Sequence, residues 1–223
     1  MKLSIILPTF NERENIKELI PEIKKEFSDA EIIVVDDDSP DQTAITAERL
    51  GVKVIRRKNR EGLGAALKDG YSNAKGDVLV SMDADCSISV KDVRFLLEGL
   101  KKYNIVIGSK YSKGSRAEGF ASKLQKILSF LGNKGIKFIY GLKVDDVTLN
   151  FRAFKKATWE KLNLKEKTNV FLLEMLIDAK NKNLRIGQIP IIFSQRRYGE
   201  SKTSLYKLMP LYIIYTIRYF LKF

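Results

Sequence analysis

The sequence predicts an α/β protein built on a doubly wound, mainly parallel sheet, with amphipathic helices towards its C-terminus. Three observations carry this expectation. Short β-branched apolar runs alternate with amphipathic segments up to about residue 110, the pattern of a parallel sheet with helices on both faces. Polar clusters follow four of those runs, where open α/β sheets collect ligands. A chain of 223 residues suffices for one large domain with a short appendage.

Taken in order, "KLSIILPTF" reads as a buried strand ended by Pro8. "NERENIKELIPEIKKEF" carries Ile16, Leu19, Ile20 and Ile23 at helical spacing, with Asn11 placed to cap it. "AEIIVVDDDSPDQT" is a second strand running into an acidic turn, and "TAITAERLG" a helix closing on Gly51. "VKVIRR" is a third strand, and "GLGAALKDGYSNA" a helix entered through glycine. "GDVLVSMDAD", "SVKDVRFLLEGLKKY" and "NIVIGSK" continue as strand, helix and strand. Beyond them, "ASKLQKILSFLGNKGIKFIYG" predicts a basic amphipathic helix broken near Gly132 to Gly135. "VDDVTLNFRAFKKATWEKL" predicts a loop, a short strand and a helix, and "NVFLLEMLIDAKNKNL" a further helix. "RIGQIPIIFSQ" is a strand interrupted by Pro190, hence expected at a sheet edge.

Composition narrows the chemistry. Forty basic against 27 acidic residues give a net charge of +13, a surface that attracts anions. One cysteine, Cys86, forms no intramolecular disulfide. With no histidine, a His-based triad is excluded and acid–base or metal work falls to Asp and Glu. The N-terminal apolar run is too short for a signal peptide.

Asp83 and Asp85, two apart after an apolar run, repel one another unless a cation lies between them. Period-two alternation along a strand would turn both to one side. Mg²⁺ and Mn²⁺ take one or two carboxylates together with substrate phosphates. The blander alternative is a solvated turn capping the next helix; Glu12, Asp36 and Asp37 on neighbouring loops favour ligand binding instead.

"LPTFNE", "VVDDDSPDQT", "MDAD" and "RRYGESK" together resemble the inverting nucleotide-sugar glycosyltransferases of family 2, and within them the dolichol-phosphate mannose synthase branch. The resemblance spans roughly residues 3 to 204. It implies a nucleotide-binding GT-A fold with a catalytic domain over 1–204, and the apolar tail beyond it is expected to form an amphipathic membrane-interface helix over 205–223. It implies that Pro8, Phe10 and Glu12 cradle the base and ribose, with Val35 and Asp37 facing the nucleoside. Asp83, Ala84 and Asp85 would hold Mg²⁺ or Mn²⁺ against the diphosphate, and Arg196 and Lys202 would close on that diphosphate. Asp85, Arg196 and Lys202 are the catalytic candidates. The implied reaction moves a hexose, mannose by resemblance, from a GDP- or UDP-hexose to polyprenyl phosphate with inversion. An acceptor phosphate is already anionic and needs no strong base; a hydroxyl acceptor needs one, with Glu174, Asp145 or Asp146 as candidates.

Three stretches depart from the branch. Cys86, Ser87, Ile88 and Ser89 replace its Leu, Gln or Ser, His and Pro. Lys110 replaces the arginine of G-S-R, losing the bidentate fork. Leu149 and Asn150 stand in T-S-G-F-R, whose glycine is lost. Lys110 and Arg152 are the expected acceptor-phosphate contacts, a structural salt bridge being the alternative for Arg152.

The tail "SLYKLMPLYIIYTIRYFLKF" carries charge only at Lys207, Arg218 and Lys222. A helix starting at Pro210, a good first-turn residue, runs 14 residues, roughly 21 Å, too short for a hydrocarbon core of about 30 Å. The expectation is a peripheral protein on the cytoplasmic face of an anionic membrane, docked through this helix and the 122–140 stretch. Packing on its own domain or on a membrane subunit is the alternative. A saccharide hydroxyl acceptor and a non-catalytic relative also remain. Nucleic-acid binding is disfavoured because the lysines interleave with aliphatic rather than aromatic residues.

Overall fold

A computed structural model of the chain describes residues 2–200 and 205–221, without the side chains of 205–207. Seven strands form the central sheet: β1 (Leu3–Thr9), β2 (Glu31–Asp36), β3 (Lys53–Arg56), β4 (Val78–Ser81), β5 (Ile105–Ser109), β7 (Arg152–Lys155) and β8 (Ile186–Pro190). Two short strands, β6 (Arg116–Ala117) and β9 (Ile192–Phe193), pair separately. The order is β3-β2-β1-β4-β7-β5-β8. All neighbours are parallel except β7, which runs antiparallel to both β4 and β5. Strand β8 lies at the edge, as Pro190 requires.

Both faces of the sheet are covered, so each strand buries successive residues in opposite directions. Ile5, Leu7, Val34 and Val80 pack with Ile16, Leu19, Ile20 and Ile23 of α1 (Arg13–Glu26), beside α2 (Thr43–Arg49) and α4 (Val93–Gly99). Ile6, Ile33 and Val35 face the other way, against Leu67 and Tyr71 of α3 (Leu63–Asn73). On the same side lie α5 (Lys123–Tyr140), α7 (Phe171–Asn181) and α8 (Leu205–Leu221); the short α6 (Lys156–Trp159) follows β7. Gly70 lets α3 lie flat on the sheet: a Cβ there would stand 2.4 Å from Ile6 Cγ2.

Several expectations change. Helix α5 is continuous across Gly132 and Gly135, where an added Cβ would meet nothing. Ser122 caps its start, Gly141 closes it in the left-handed conformation, and Asn133 ties its middle to the Val147 backbone N–H at 2.8 Å. That tertiary bond and the two caps outweigh the low helical propensity of glycine. Pro210 lies inside α8 rather than in its first turn, because the helix begins upstream and Leu208 and Leu211 pack on the core. Strand β4 ends at Ser81, so Asp83 and Asp85 stand in the turn beyond it. Strand alternation therefore does not orient them; the turn does, with Cys86 at φ 59° and the Ser87 N–H donating to Asp85 Oδ1 at 3.0 Å.

Candidate active site

A cleft of about 370 Å³ opens over the carboxyl ends of β1, β2 and β4. Pro8 borders it from the end of β1, Phe10 and Glu12 enter it just beyond that strand, Asp37 after β2, and Asp83, Ala84 and Asp85 after β4. Lys110 reaches it after β5, and Arg196 after β9. Nine of the twelve residues expected at a site thus border one space.

Three do not join them. Val35 is fully buried in the core, because its position on β2 turns its side chain onto α3. Only its carbonyl approaches the site, accepting from Thr9 Oγ1 at 3.3 Å. Arg152, expected at the acceptor phosphate, is also fully buried and makes no salt bridge among the described residues. Its guanidinium donates to the carbonyls of Val147, Leu149 and Leu172, where β7 begins beneath the loop that precedes it. Burial pushes it down to about 10. Lys202 lies outside the described residues. The candidate bases are occupied too. Glu174 accepts the backbone N–H groups of Lys165 and Glu166, and Asp146 pairs with Lys110.

Charge is arranged in three groups. At the end of β2, Asp37 pairs with the buried Arg57, which also contacts Asp69 at 2.9 Å. Burial still pushes the Asp37 carboxyl above its ordinary value, against the pull of Arg57. Arg60 lies over the Phe10 ring, 3.8 Å from its centroid, and forms the adjoining wall. Neither arginine was singled out in the sequence, although "RRKNREG" follows the carboxyl end of β3, where such groups collect.

At the end of β4, Arg196 bridges Asp85 at 3.0 Å and Glu12 at 3.5 Å. Asp83 accepts from Asn150 Nδ2 at 3.1 Å. Burial and the neighbouring Asp85 charge push Asp83 up to about 7. The loop carrying Arg196 is clasped to α1: Tyr198 exchanges bonds with Asn15 and donates to Glu18 at 2.6 Å.

At the end of β5, Lys110 Nζ meets Asp146 Oδ2 at 2.8 Å, both buried. Burial would raise the Asp146 carboxyl, but Lys110 and backbone N–H groups hold it below its ordinary value. Phe193 stands 5.3 Å from the same ammonium and packs on Phe120 at the cleft mouth.

These residues fit a hard divalent cation. Asp83 and Asp85 offer oxygen ligands, and the buried side-chain oxygen of Asn150 beside them has no hydrogen-bond partner among the described residues. Among the described residues no group of three His, Cys, Asp or Glu could hold a metal. Such an ion would need further ligands from substrate.

A second space of about 430 Å³, almost wholly apolar, runs between α5 and α8. Leu128, Ile136 and Ile139 form one wall, and Met209, Ile213 and Ile217 the other. It shares Ser129, Thr148 and Leu208 with the cleft, so the two spaces adjoin. The helices are joined by Tyr140 Oη donating to Thr216 Oγ1 at 3.0 Å. No helix among the described residues is long and apolar enough to cross a membrane.

Comparison with known proteins identifies the family. The chain is 38% identical over 212 residues to a dolichol-phosphate mannosyltransferase of Pyrococcus furiosus, matching 91% of this chain and 59% of that one. It is 32% identical over 218 residues to a polyprenol monophosphomannose synthase of Mycolicibacterium smegmatis, matching 90% and 80% of the two chains. Among solved structures, glucosyl-3-phosphoglycerate synthase from Mycobacterium tuberculosis, in complex with Mn²⁺, UDP and glucosyl-3-phosphoglycerate, superposes with a TM-score of 0.74. That match covers 97% of this chain and 78% of the other at 21% identity, and shows the shared GT-A fold. The same synthase is also known with Mg²⁺ and UDP. Residues 4–162 match the profile of Glycosyl transferase family 2, and the chain belongs to that family.

Proposed function

We propose that the chain transfers mannose from a nucleoside-diphosphate sugar, GDP- or UDP-linked, to the phosphate of a polyprenyl lipid, with inversion. The observation that carries this reading is the junction of the two spaces: a charged cleft opens beside an apolar groove at Ser129, Thr148 and Leu208. A saccharide acceptor has no use for such a groove. The names of the Pyrococcus and Mycolicibacterium relatives support the same acceptor class and sugar.

In this reading the base lies against the wall that Phe10 and the stacked Arg60 form together, and Asp37 faces the nucleoside, fixed by Arg57. Asp83 and Asp85 would hold Mg²⁺ or Mn²⁺, and the bound ion would supply positive charge against the leaving diphosphate. Arg196, and Lys202 beyond it in sequence, add donors to the same charge; stabilising developing charge is usually the largest catalytic contribution. Lys110 meets the acceptor phosphate from the opposite wall, its approach to Asp146 fixing where the ammonium stands. The acceptor is its own nucleophile, consistent with a chain that lacks histidine and whose buried carboxylates are already engaged. The exposed apolar residues Leu124, Ile127 and Phe138 of α5 and Ile213, Ile217 and Leu221 of α8 would dock on an anionic leaflet. Lys123, Lys126, Lys134 and Arg218 would meet its headgroups. We place this docking on the cytoplasmic face, with 1–204 as catalytic domain and 205–223 as interface helix, and a membrane subunit as a further partner.

The test is a panel of labelled nucleotide sugars offered with polyprenyl phosphate in vesicles and either cation. Label should partition into organic solvent with one donor. Asp85→Ala should lower that transfer at least about a hundredfold without altering the far-ultraviolet circular dichroism. Label that stays in the aqueous phase with every donor sinks the lipid acceptor.

A further inference from the structure

One polar side chain at the cleft is only half satisfied. Asn150 lines the cleft yet is 1% exposed. Its Nδ2 donates to Asp83 Oδ1 at 3.1 Å. The amide thus turns its nitrogen toward Asp83 and its oxygen away from it. The amide oxygen is then left buried with no hydrogen-bond partner among the described residues. Unmatched buried acceptors are uncommon and call for an explanation such as an absent water or ion.

The backbone that carries Asn150 is held on every side. Asp146 Oδ1 accepts the N–H groups of Thr148 at 3.1 Å and Leu149 at 3.2 Å. Arg152 Nε grips the Leu149 carbonyl at 3.0 Å, and the Gly108 N–H donates to the Phe151 carbonyl at 2.8 Å. A side chain so fixed acts as a strut for whatever it touches. What it touches is one of the two carboxylates assigned to the cation.

We propose that Asn150 is a positioning residue of the cation site. Its amide nitrogen holds Asp83 in one orientation, and its amide oxygen is completed by an O–H of water carried in the hydration shell of a divalent cation. This rests on the assignment of Asp83 and Asp85 above. Mg²⁺ and Mn²⁺ keep several waters when bound, and toward the surrounding protein those waters act as donors, which the amide oxygen lacks. Groups that orient metal ligands are typically worth ten- to a hundredfold in metal affinity.

The experiment is a Mn²⁺ titration of the purified chain, with UDP and separately with GDP, free Mn²⁺ being read from its electron paramagnetic resonance signal. Asn150→Ala is expected to weaken Mn²⁺ binding about tenfold while the metal-free melting temperature stays close to that of the wild type. Asn150→Ser, which keeps a donor and an acceptor, is expected to recover most of that loss. If the alanine variant does not fold, the wild-type Asn150 side-chain amide is followed by NMR during addition of Mg²⁺, and its resonances should shift. Unchanged Mn²⁺ affinity in Asn150→Ala, serine no better than alanine, or an amide resonance indifferent to Mg²⁺ overturns the inference. A wild-type chain that binds no Mn²⁺ overturns the cation assignment as well; normal wild-type binding with an indifferent alanine variant overturns this inference alone.

Discussion

Arg196 and Asp85 form an ion pair across the cleft, Nη2 to Oδ2 at 3.0 Å, while Nη1 donates to the Glu200 carbonyl at 2.7 Å. The guanidinium therefore neutralises the carboxylate on which a divalent cation would draw. Cation and arginine compete for Asp85 until a diphosphate gives the arginine another anion to hold. Binding of cation and nucleotide should consequently be coupled, and by linkage the coupling is reciprocal. For Arg196→Gln we expect Mn²⁺ alone to bind about threefold to tenfold more tightly, the scale of one part-exposed ion pair. Addition of UDP or GDP should then improve Mn²⁺ binding less than in the wild type. Calorimetric titrations in both orders measure this; identical coupling in both proteins rules the competition out.

Asp83 carries a second prediction, in pH. Burial and the charge of Asp85 raise its carboxyl to about 7, above the ordinary unfolded value of about 4. Between those values the native state binds more protons than the unfolded chain, so this group makes the metal-free protein less stable as pH rises through that window. A cation must displace the same proton. Mn²⁺ affinity should fall as pH drops below about 7, approaching tenfold per unit, and added Mn²⁺ should stabilise the protein more at pH 7.5 than at pH 5.5. Thermal melts of the wild type and Asp83→Asn over that range decide the matter; a wild-type profile as flat as that of the variant contradicts it.

Arg152 supplies a test that separates fold from function. Its guanidinium satisfies the carbonyls of Val147, Leu149 and Leu172, and no cleft surface belongs to it. Arg152→Met would keep much of the volume but strip three buried acceptors of their donor. The expected loss is about 3 kcal/mol or more of unfolding free energy, read from urea denaturation. Lysine, with no planar fork, should restore only part of it. Full stability in the methionine variant, with a raised acceptor KM, would return Arg152 to the phosphate site.

Local information made the site's outline readable. Apolar runs ending in acid identified β1, β2 and β4, and the rule that ligands gather at strand carboxyl ends put Glu12, Asp37, Asp83 and Asp85 at one cleft. What escaped depends on partners distant in sequence. Asn150 meets Asp83 across 67 positions, and β7 enters the sheet antiparallel between β4 and β5 through pairing that no periodicity encodes. Arg152 looked like a phosphate ligand because its charge is visible in the sequence, whereas the three carbonyls awaiting it are not. Val35 belongs to the acidic motif in sequence, but its place on β2 turns its side chain into the core rather than the cleft. Arg57 and Arg60 lay in a loop as basic as several others, and only the positions of Asp37 and Phe10 give them meaning.

The groove between α5 and α8 can be broken without touching the charged cleft. Ile139 and Ile213 are both about half exposed and line its walls, and neither borders the space that holds Asp83, Asp85 and Arg196. Burying an isoleucine side chain in an apolar medium is worth about 1.5–3 kcal/mol, so a charge in its place should cost at least tenfold in binding. Ile139→Glu and Ile213→Glu are expected to reduce cosedimentation with vesicles containing anionic lipid and to raise the KM for polyprenyl phosphate. Affinity for UDP or GDP with Mn²⁺ should remain that of the wild type, which shows that the fold and the donor site are intact. If vesicle binding and acceptor KM both survive these charges, the groove does not hold the lipid. The exposed faces of α5 and α8 would then be left for a second copy of the chain or a membrane subunit, and the variants would differ from the wild type in sedimentation rather than in turnover.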